Sequence, residues 1–366
     1  MVFSINKAKL KKFLNKDIGF KKVDKRIVSL FLKQLSLLLN SSISFDRALI
    51  IIKEQNIDKK LNKALESILA MVESGNNIYQ AFYKNKAYFN DYVIACINSG
   101  DKSGNLSEIL DELSKYIEED NKNKNNISQA FIYPIILLFV TVVVLVVVLK
   151  NVLPTFIGIF ENSKHILPLP TRILLSLASF FKSYGLLIGF LIFTLIISIN
   201  FFRRKKDKRL KIDKILFNFP IFKNLRILNF QYQTSSLLYI LTKGNVEIRE
   251  SMEIIENSFS NEYIKNVFIG IREKIDYGYS LSEILEKNEI FSNLFVSMVK
   301  IGENSGRMAE SIKKLKEYFS NEYIFKLKKL SRIAEPMLII FMAIIVGFVV
   351  FAIALPMFDS INYFNY

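Results

Sequence analysis

The stretch GDKSG at residues 100–104 occurs again as GENSG at residues 302–306. Two glycines around a short polar segment are found in phosphate-binding loops. Such a loop also needs a Gly-Lys dipeptide, because its lysine reaches the phosphates, and Gly-Lys occurs nowhere in the sequence. An acid between the glycines also repels a phosphate group. The stretch therefore does not predict a nucleotide site, and its recurrence indicates an internal duplication.

The duplication extends far beyond these five residues. An offset of 202 residues aligns Pro134 with Pro336, and LPTF at 153–156 with LPMF at 355–358, without a gap. One additional residue in the offset extends the match upstream and pairs Gly75 with Gly278. The sequence therefore contains two copies of one unit, each ending in a strongly apolar segment.

Each copy has apolar residues at intervals of three and four, separated by breaks rich in Gly, Ser and Asn. This spacing is typical of amphipathic helices and predicts an all-α fold, with one bundle of about six antiparallel helices in each copy. The repeated stretch is then a turn between two helices. Its first glycine, Gly100 or Gly302, is predicted to close a helix in the left-handed conformation. Ser103 or Ser305 is predicted to cap the next helix.

The turn ends on a second glycine, Gly104 or Gly306, and carries an acid, Asp101 or Glu303. One interpretation is that the motif is only a tight turn. The other is that the acids are exposed at a rigid corner, where they dock basic groups of a partner. A bare turn does not require an acid at this position, so we favour docking, with Glu303 as the stronger candidate.

The composition combines 51% apolar residues with 50 Lys and Arg against 34 Asp and Glu. This combination is typical of a membrane protein with basic cytoplasmic parts. Three stretches, 134–154, 184–202 and 336–356, are apolar and about 20 residues long, which is the length needed to cross a bilayer. A strongly basic run at 203–214 follows the second stretch, so the positive-inside rule predicts a cytoplasmic N-terminus and an external C-terminus.

Residues at the ends of the predicted spans have simple structural roles. Pro134 and Pro336 suit the first turn of a helix, where no backbone N–H is missed. Glu335 is predicted to favour the positive end of the third span. The single cysteine, Cys96, is assigned to an apolar core, and His165 to a solvated loop. We therefore expect no disulfide, no metal site, no cofactor and no catalytic residues.

These observations divide the chain into eight regions. They are a basic N-terminal segment (1–29), a first cytoplasmic helical domain (30–130), a first transmembrane helix (131–154), a short external loop with an interfacial helix (155–182), a second transmembrane helix (183–202), a second cytoplasmic helical domain (203–333), a third transmembrane helix (334–356) and an external tail (357–366).

The joint pattern resembles the type II secretion system F protein family, which includes the platform proteins of type IV pili and DNA-uptake machines. The resemblance rests on the two Gly-Asp/Glu-x-Ser-Gly turns, a Tyr-Pro at 133–134, a Glu-Pro at 335–336 and LPLPTR at 167–172. It covers the chain from about Phe31 to Phe358. This sequence departs from the family in having Asp101, where glutamate is more common.

The resemblance implies a multi-pass protein of the bacterial inner membrane that is not an enzyme. It implies that this protein couples a cytoplasmic hexameric ATPase to the insertion of pilin or pseudopilin subunits into a filament. Further implied partners are other inner-membrane assembly components, membrane lipid and additional copies of the chain. The basic runs at 7–26 and 203–214 are assigned to topology and anionic lipid, and no direct nucleic-acid binding is expected.

Two other function classes are less well supported by the residues. A membrane transporter or channel, the main alternative, predicts ionisable residues inside the spans, and none occurs in 134–149 or 336–355. A membrane-anchored sensor or enzyme needs a catalytic constellation or a sizeable external domain, and the longest predicted external segment is only about thirty residues. The sequence does not say whether the filament serves secretion, adhesion, motility or DNA uptake.

Overall fold

The computed structural model describes residues 22–147, 150, 206–220 and 222–363, together with 169–174, 176, 179–180, 183–185, 187, 190–191 and 194. Most of the described residues are helical and none of them lies in a strand, so the predicted all-α class is confirmed. The first copy contains α1 (Lys25–Asn40), α2 (Phe45–Glu54), α3 (Lys59–Glu73), α4 (Ile78–Lys84), α5 (Asp91–Ser103) and α6 (Leu106–Val147). The second copy contains α7 (Lys206–Phe217), α8 (Lys223–Lys243), α9 (Ile248–Ser258), α10 (Glu262–Asp276), α11 (Leu281–Glu286), α12 (Asn293–Ser305) and α13 (Met308–Tyr363).

The helix bounds reproduce the duplication found in the sequence. Helices α3 and α10 begin and end 203 residues apart, and α5 and α12 begin and end 202 residues apart. The turns match as well, because Gly75 and Gly278 both have a φ of 86°. The same offsets pair α1 with α8, α2 with α9, α4 with α11 and α6 with α13. The two copies are therefore homologous bundles, hereafter repeat 1 and repeat 2.

Polar side chains fix where several of these helices begin. Asp58 accepts hydrogen bonds from the Lys60 and Leu61 amides at the start of α3. Ser280 and Glu283 form a reciprocal capping box at the start of α11. Such caps satisfy amide groups that have no partner within the helix, and each stabilises a helix by about 1 kcal/mol.

The core of each bundle is built around phenylalanine rings. In repeat 1, Phe82 lies 5.2 Å from Phe89 and 6.4 Å from Phe31 between ring centroids. In repeat 2, Phe230 lies 5.2 Å from Phe291 and 6.0 Å from Phe268. All six rings are almost completely buried. Each bundle therefore has an apolar core that contains three closely packed phenylalanine rings.

The chain divides into two compact units, one of Met1–Asn123 with Asp213–Tyr323 and one of Lys124–Ile212 with Ile324–Tyr366. Unit 1 contains the bundle helices of both repeats. Within unit 2, the Thr141 hydroxyl donates to the Met342 sulfur at 2.6 Å, and the Thr171 hydroxyl donates to the Ala352 carbonyl at 2.6 Å. These bonds connect α6 and the described residues after 168 to α13.

In the part of the chain that the structure describes, no helix is both long enough and apolar enough to cross a membrane.

Several sequence predictions fall outside the described residues. These are residues 1–21 of the basic segment, residues 155–168 of the predicted loop with His165, and residues 148–149 and 151–154 of the first predicted span. Most of the second predicted span, including residues 195–202, also lies outside. The membrane spans and their orientation stay predictions.

Candidate functional site: the glycine corners and the seam between the repeats

Each glycine turn is a sharp corner between two helices, α5 and α6 in repeat 1 and α12 and α13 in repeat 2. The left-handed residues are Gly104, with a φ of 74°, and Gly306, with a φ of 67°. The prediction that Gly100 and Gly302 take this conformation is wrong, because α5 and α12 continue for three residues beyond them. The left-handed glycine follows the last helical residue, one turn later than predicted.

Gly100 and Gly302 have a different role, which is to allow close packing. Both are buried inside their helices. A Cβ atom at Gly100 would lie 3.0 Å from the Leu106 Cα, and one at Gly302 would lie 3.0 Å from the Met308 Cα. Both distances are shorter than ordinary van der Waals contact, so only glycine lets the first residue of the next helix approach so closely. The two glycines of each motif therefore make one corner, the first by close packing and the second by its backbone conformation.

The two serines do not cap the following helices in the predicted way. The Ser103 hydroxyl donates to the Gly100 carbonyl at 3.4 Å, and the Ser305 hydroxyl donates to the Ile301 carbonyl at 2.7 Å. Ser305 also accepts a long bond from the Arg307 amide, at 3.4 Å. Both hydroxyls thus bond to carbonyl groups near the end of the helix that carries them.

Glu303 binds another helix of its own bundle. Its carboxylate accepts from the Leu281 amide at 2.7 Å and from the Ser282 amide at 3.1 Å, the first two amides of α11. An acid at this position satisfies amide groups without a helical partner and interacts favourably with the positive end of the helix. Glu303 therefore links α11 to α12. Because this contact explains why an acid is present at position 303, Glu303 is no longer the preferred docking acid.

Asp101 makes no equivalent contact, although it occupies the same position in repeat 1. Its side chain is exposed and has neither a hydrogen bond nor an ion pair among the described residues. The start of α4, the counterpart of α11, is capped by Asn77 and not by Asp101, because the Asn77 side chain accepts a hydrogen bond from the Gln80 amide at 2.7 Å. Partial burial raises the pKa of the Asp101 carboxyl above its usual range. Asp101 is therefore the corner acid that remains available to a partner.

The prolines and the acid assigned to the membrane boundary lie within long helices. Pro134 is inside α6, and Glu335 and Pro336 are inside α13. The prediction that these prolines occupy a first helical turn is therefore wrong. For the same reason, Glu335 is not at the positive end of a helix.

The two repeats meet in a contact, hereafter the seam, between α5 and α6 of repeat 1 and α8 and α9 of repeat 2. At its centre the Tyr232 hydroxyl donates to the Glu119 carboxylate at 2.9 Å. The Tyr232 ring stacks on that of Tyr323 at 6.1 Å and lies 6.4 Å from that of Tyr116. Burial, together with the nearby Glu119 charge, raises the pKa of the Tyr232 phenol far above its usual range. Tyr232 therefore remains a neutral hydrogen-bond donor.

One end of the seam is charged. The Lys243 ammonium lies 2.8 Å from the Glu108 carboxylate and 3.5 Å from that of Glu112. Glu112 also lies 3.7 Å from Lys316. Burial alone lowers the pKa of Lys243, but the two carboxylates outweigh this effect and raise it. Because the side chains of Glu112 and Lys316 are about nine-tenths buried, this cluster helps to fix the register of the two repeats.

The seam residues were not predicted from the sequence. Tyr232, Glu119 and Lys243 belong to no recognisable motif. The one available signal was a difference between the copies, since Tyr232 aligns with Ser29 and Lys243 aligns with Asn40. Cys96 lies in the core as expected, and its burial raises the pKa of its thiol to about 12.

Comparison with known proteins relates this architecture to a family. The family model described as "Type II secretion system (T2SS), protein F" matches residues 31–154 and again residues 234–356, once in each repeat. The type IV pilus assembly protein PilC of Thermus thermophilus is 27% identical over 336 residues, covering 92% of this chain and 82% of its own. PilC of Pseudomonas aeruginosa is 25% identical, covering 93% and 92% of the two chains.

A relative from the secretion branch is similar to the same extent. Type II secretion system protein F of Vibrio cholerae is 27% identical over 338 residues, covering 92% of this chain and 82% of its own. The double match of the family model falls on the two bundles whose helices and glycine corners coincide in the structure. The chain therefore belongs to the type II secretion system protein F family.

Proposed function

We propose that this chain is an inner-membrane platform protein of a machine that assembles pilin-like filaments. The observation that carries the proposal is the match of the family model to both repeats, including the apolar segments up to residues 154 and 356. Relatives over nine-tenths of the chain are named for type IV pilus assembly and type II secretion. In this role the chain couples a separate cytoplasmic ATPase to the insertion of pilin or pseudopilin subunits into a filament. The chain itself hydrolyses no nucleotide.

The proposed orientation follows from the charge pattern of the sequence. The apolar segments at 134–154, 184–202 and 336–356 cross the membrane, and both helical bundles lie on the cytoplasmic side. Cysteines placed at Lys206 and at His165 test this orientation in cells whose outer barrier has been opened. An impermeant maleimide should label position 165 and not position 206. Labelling at 206 without labelling at 165 would exclude the proposed topology.

Asp101 is the proposed docking acid for a basic group of the assembly machinery. Asp101→Lys should leave the protein at its normal abundance in the membrane and reduce filament output about tenfold or more, because a like charge in an interface costs several kcal/mol. Glu303→Lys should instead lower the abundance of the protein, because it removes the contact at the start of α11. The loss of such a contact costs about 0.5–2 kcal/mol. The measurement is extracellular filament together with membrane abundance.

Glu73→Lys is the matched control, because Glu73 is an exposed acid of repeat 1 at the last residue of α3. This variant should retain both filament output and abundance. Docking at Asp101 is excluded if Asp101→Lys supports normal filaments. It is also excluded if that variant is lost from the membrane, because Asp101 is then a structural residue.

A further inference from the structure

The seam joins the two homologous repeats through different faces. Repeat 1 contributes α5 and α6, whereas repeat 2 contributes mainly α8 and α9, with Lys316 of α13 at the charged end. The counterparts of α5 and α6 in repeat 2 are α12 and α13, and the counterparts of α8 and α9 in repeat 1 are α1 and α2. The contact is thus head-to-tail. Each chain has one further face of each type. On repeat 1 it is the α1–α2 face, and on repeat 2 it is the side of α12 and α13 that carries Leu294, Ile301 and Tyr318, hereafter the α12–α13 face.

The α12–α13 face presents apolar side chains at positions that are buried in repeat 1. Tyr92 and Tyr116 are buried in the seam, with their rings 6.2 Å apart. Their counterparts, Leu294 and Tyr318, are both exposed. Ile301 lies two turns after Leu294 on the same side of α12, and its side chain is 55% exposed. Its counterpart Ser99 is buried.

The α1–α2 face shows the same change from buried to exposed. Ile240 of α8 is fully buried, one turn before Gly244, which packs against Ile109 of repeat 1. Its counterpart on α1, Leu37, is 55% exposed. Leu30, two turns earlier on the same side of α1, is also exposed. Leu37 therefore lies on the side of α1 that corresponds to the side of α8 that carries Ile240 and packs against Ile109 at Gly244.

We propose that a second copy of this chain docks its α1–α2 face onto the α12–α13 face of the first copy, in the head-to-tail manner of the seam. A head-to-tail contact leaves an open face of each kind on every chain, so the same contact can recur between chains. The seam shows that this fold packs stably in this way. The inference rests on the repeat geometry and does not depend on the proposed function.

The charges differ between the seam and the proposed contact. The lysine of the seam, Lys243, is replaced by Asn40 on the α1–α2 face. The carboxylate Glu112 is replaced by Lys314 on the α12–α13 face. The proposed contact therefore lacks the ion pairs that Lys243 makes at one end of the seam, and its stability comes mainly from apolar burial. Association between copies should consequently persist when the salt concentration is raised.

Cysteine cross-linking of the full chain in its native membrane tests the geometry. Lys243 and Glu108 are neighbours in the seam, with their charged atoms 2.8 Å apart. The equivalent positions between two copies are Asn40 and Glu310, and both side chains are exposed. Two differently tagged chains, one with Asn40→Cys and one with Glu310→Cys, are produced together and treated with a short bis-maleimide.

The chain with both Lys243→Cys and Glu108→Cys is the positive control, since it should cross-link within itself. The unaltered chain is the negative control, because Cys96 is fully buried. We expect a cross-linked pair of tagged chains joining positions 40 and 310. Either Asn40→Cys or Glu310→Cys alone should give little cross-linked product. The proposal is overturned if only like positions cross-link, or if 40 and 310 do not cross-link while the positive control does.

Substitutions on the two faces provide an independent readout. Leu37→Asp and Ile301→Asp should each reduce recovery of one tagged copy with the other at least tenfold, because each places a charge in an apolar contact. Tyr277→Asp is the matched control, since Tyr277 is 81% exposed and lies outside both faces. It should leave recovery unchanged. Undiminished recovery with both Leu37→Asp and Ile301→Asp would overturn the proposed contact.

Discussion

Replacing Phe230 by alanine should lower the free energy of unfolding of unit 1 by about 3–5 kcal/mol. The Phe230 side chain is 1% exposed. Its ring centroid lies 5.2 Å from that of Phe291, 5.6 Å from Phe259 and 6.0 Å from Phe268. Removing the ring loses its burial and leaves a cavity that the surrounding rings cannot fill. The resulting loss is large compared with the 5–15 kcal/mol that typically stabilises a domain.

The measurement is urea-induced unfolding of the purified full chain, followed by the near-ultraviolet circular dichroism of tyrosine. The chain has 16 tyrosines and no tryptophan, so this signal reports tertiary packing around the tyrosines. Tyr277→Ala is the control, because the Tyr277 side chain is 81% exposed and its removal should change stability by less than about 0.5 kcal/mol. Equal effects of the two substitutions would contradict the assignment of Phe230 to the core.

Replacing Gly302 by alanine should destabilise unit 1 by about 1–3 kcal/mol. The added Cβ would lie 3.0 Å from the Met308 Cα and 2.9 Å from the Met308 sulfur. The sulfur can move, but the backbone at the start of α13 must shift. The same urea unfolding measures this cost.

Gly270→Ala should have the opposite sign. Gly270 lies in the interior of α10, and a Cβ there would meet no atom within 4 Å. Alanine is therefore expected to stabilise the helix by about 0.5–1 kcal/mol, since glycine loses more backbone entropy on folding. If both substitutions stabilise the chain, the close approach at Gly302 does not constrain the corner.

The sequence predicted the repeat and the helical bundles well, because both are recorded in local patterns. Apolar spacing sets the helices, and an offset of 202 or 203 residues aligns Gly104 with Gly306 and Gly75 with Gly278. The details of the corner were predicted wrongly. Gly100 and Gly104 are four residues apart, about one helical turn, so the sequence alone does not say which glycine ends the helix and which packs inside it.

The contacts of the two corner acids depend on packing that the sequence does not show. Glu303 and Asp101 differ by one methylene group, yet Glu303 bonds to the amides of α11, whereas Asp101 remains exposed. The seam was unpredictable for a related reason. It joins non-equivalent faces of the repeats, so residues such as Tyr232 have no matching partner in the other copy. Only the arrangement in space reveals them.

The proposed role as a membrane platform makes this chain necessary for filament assembly. The most direct test is to delete the chain from its own cells and to measure pilin or pseudopilin subunits both in the membrane and in extracellular filaments. We expect that the subunits remain in the membrane, that extracellular filaments are lost, and that the full chain supplied again restores them. Extracellular filaments at the normal level in the deletion strain would contradict the proposed platform role.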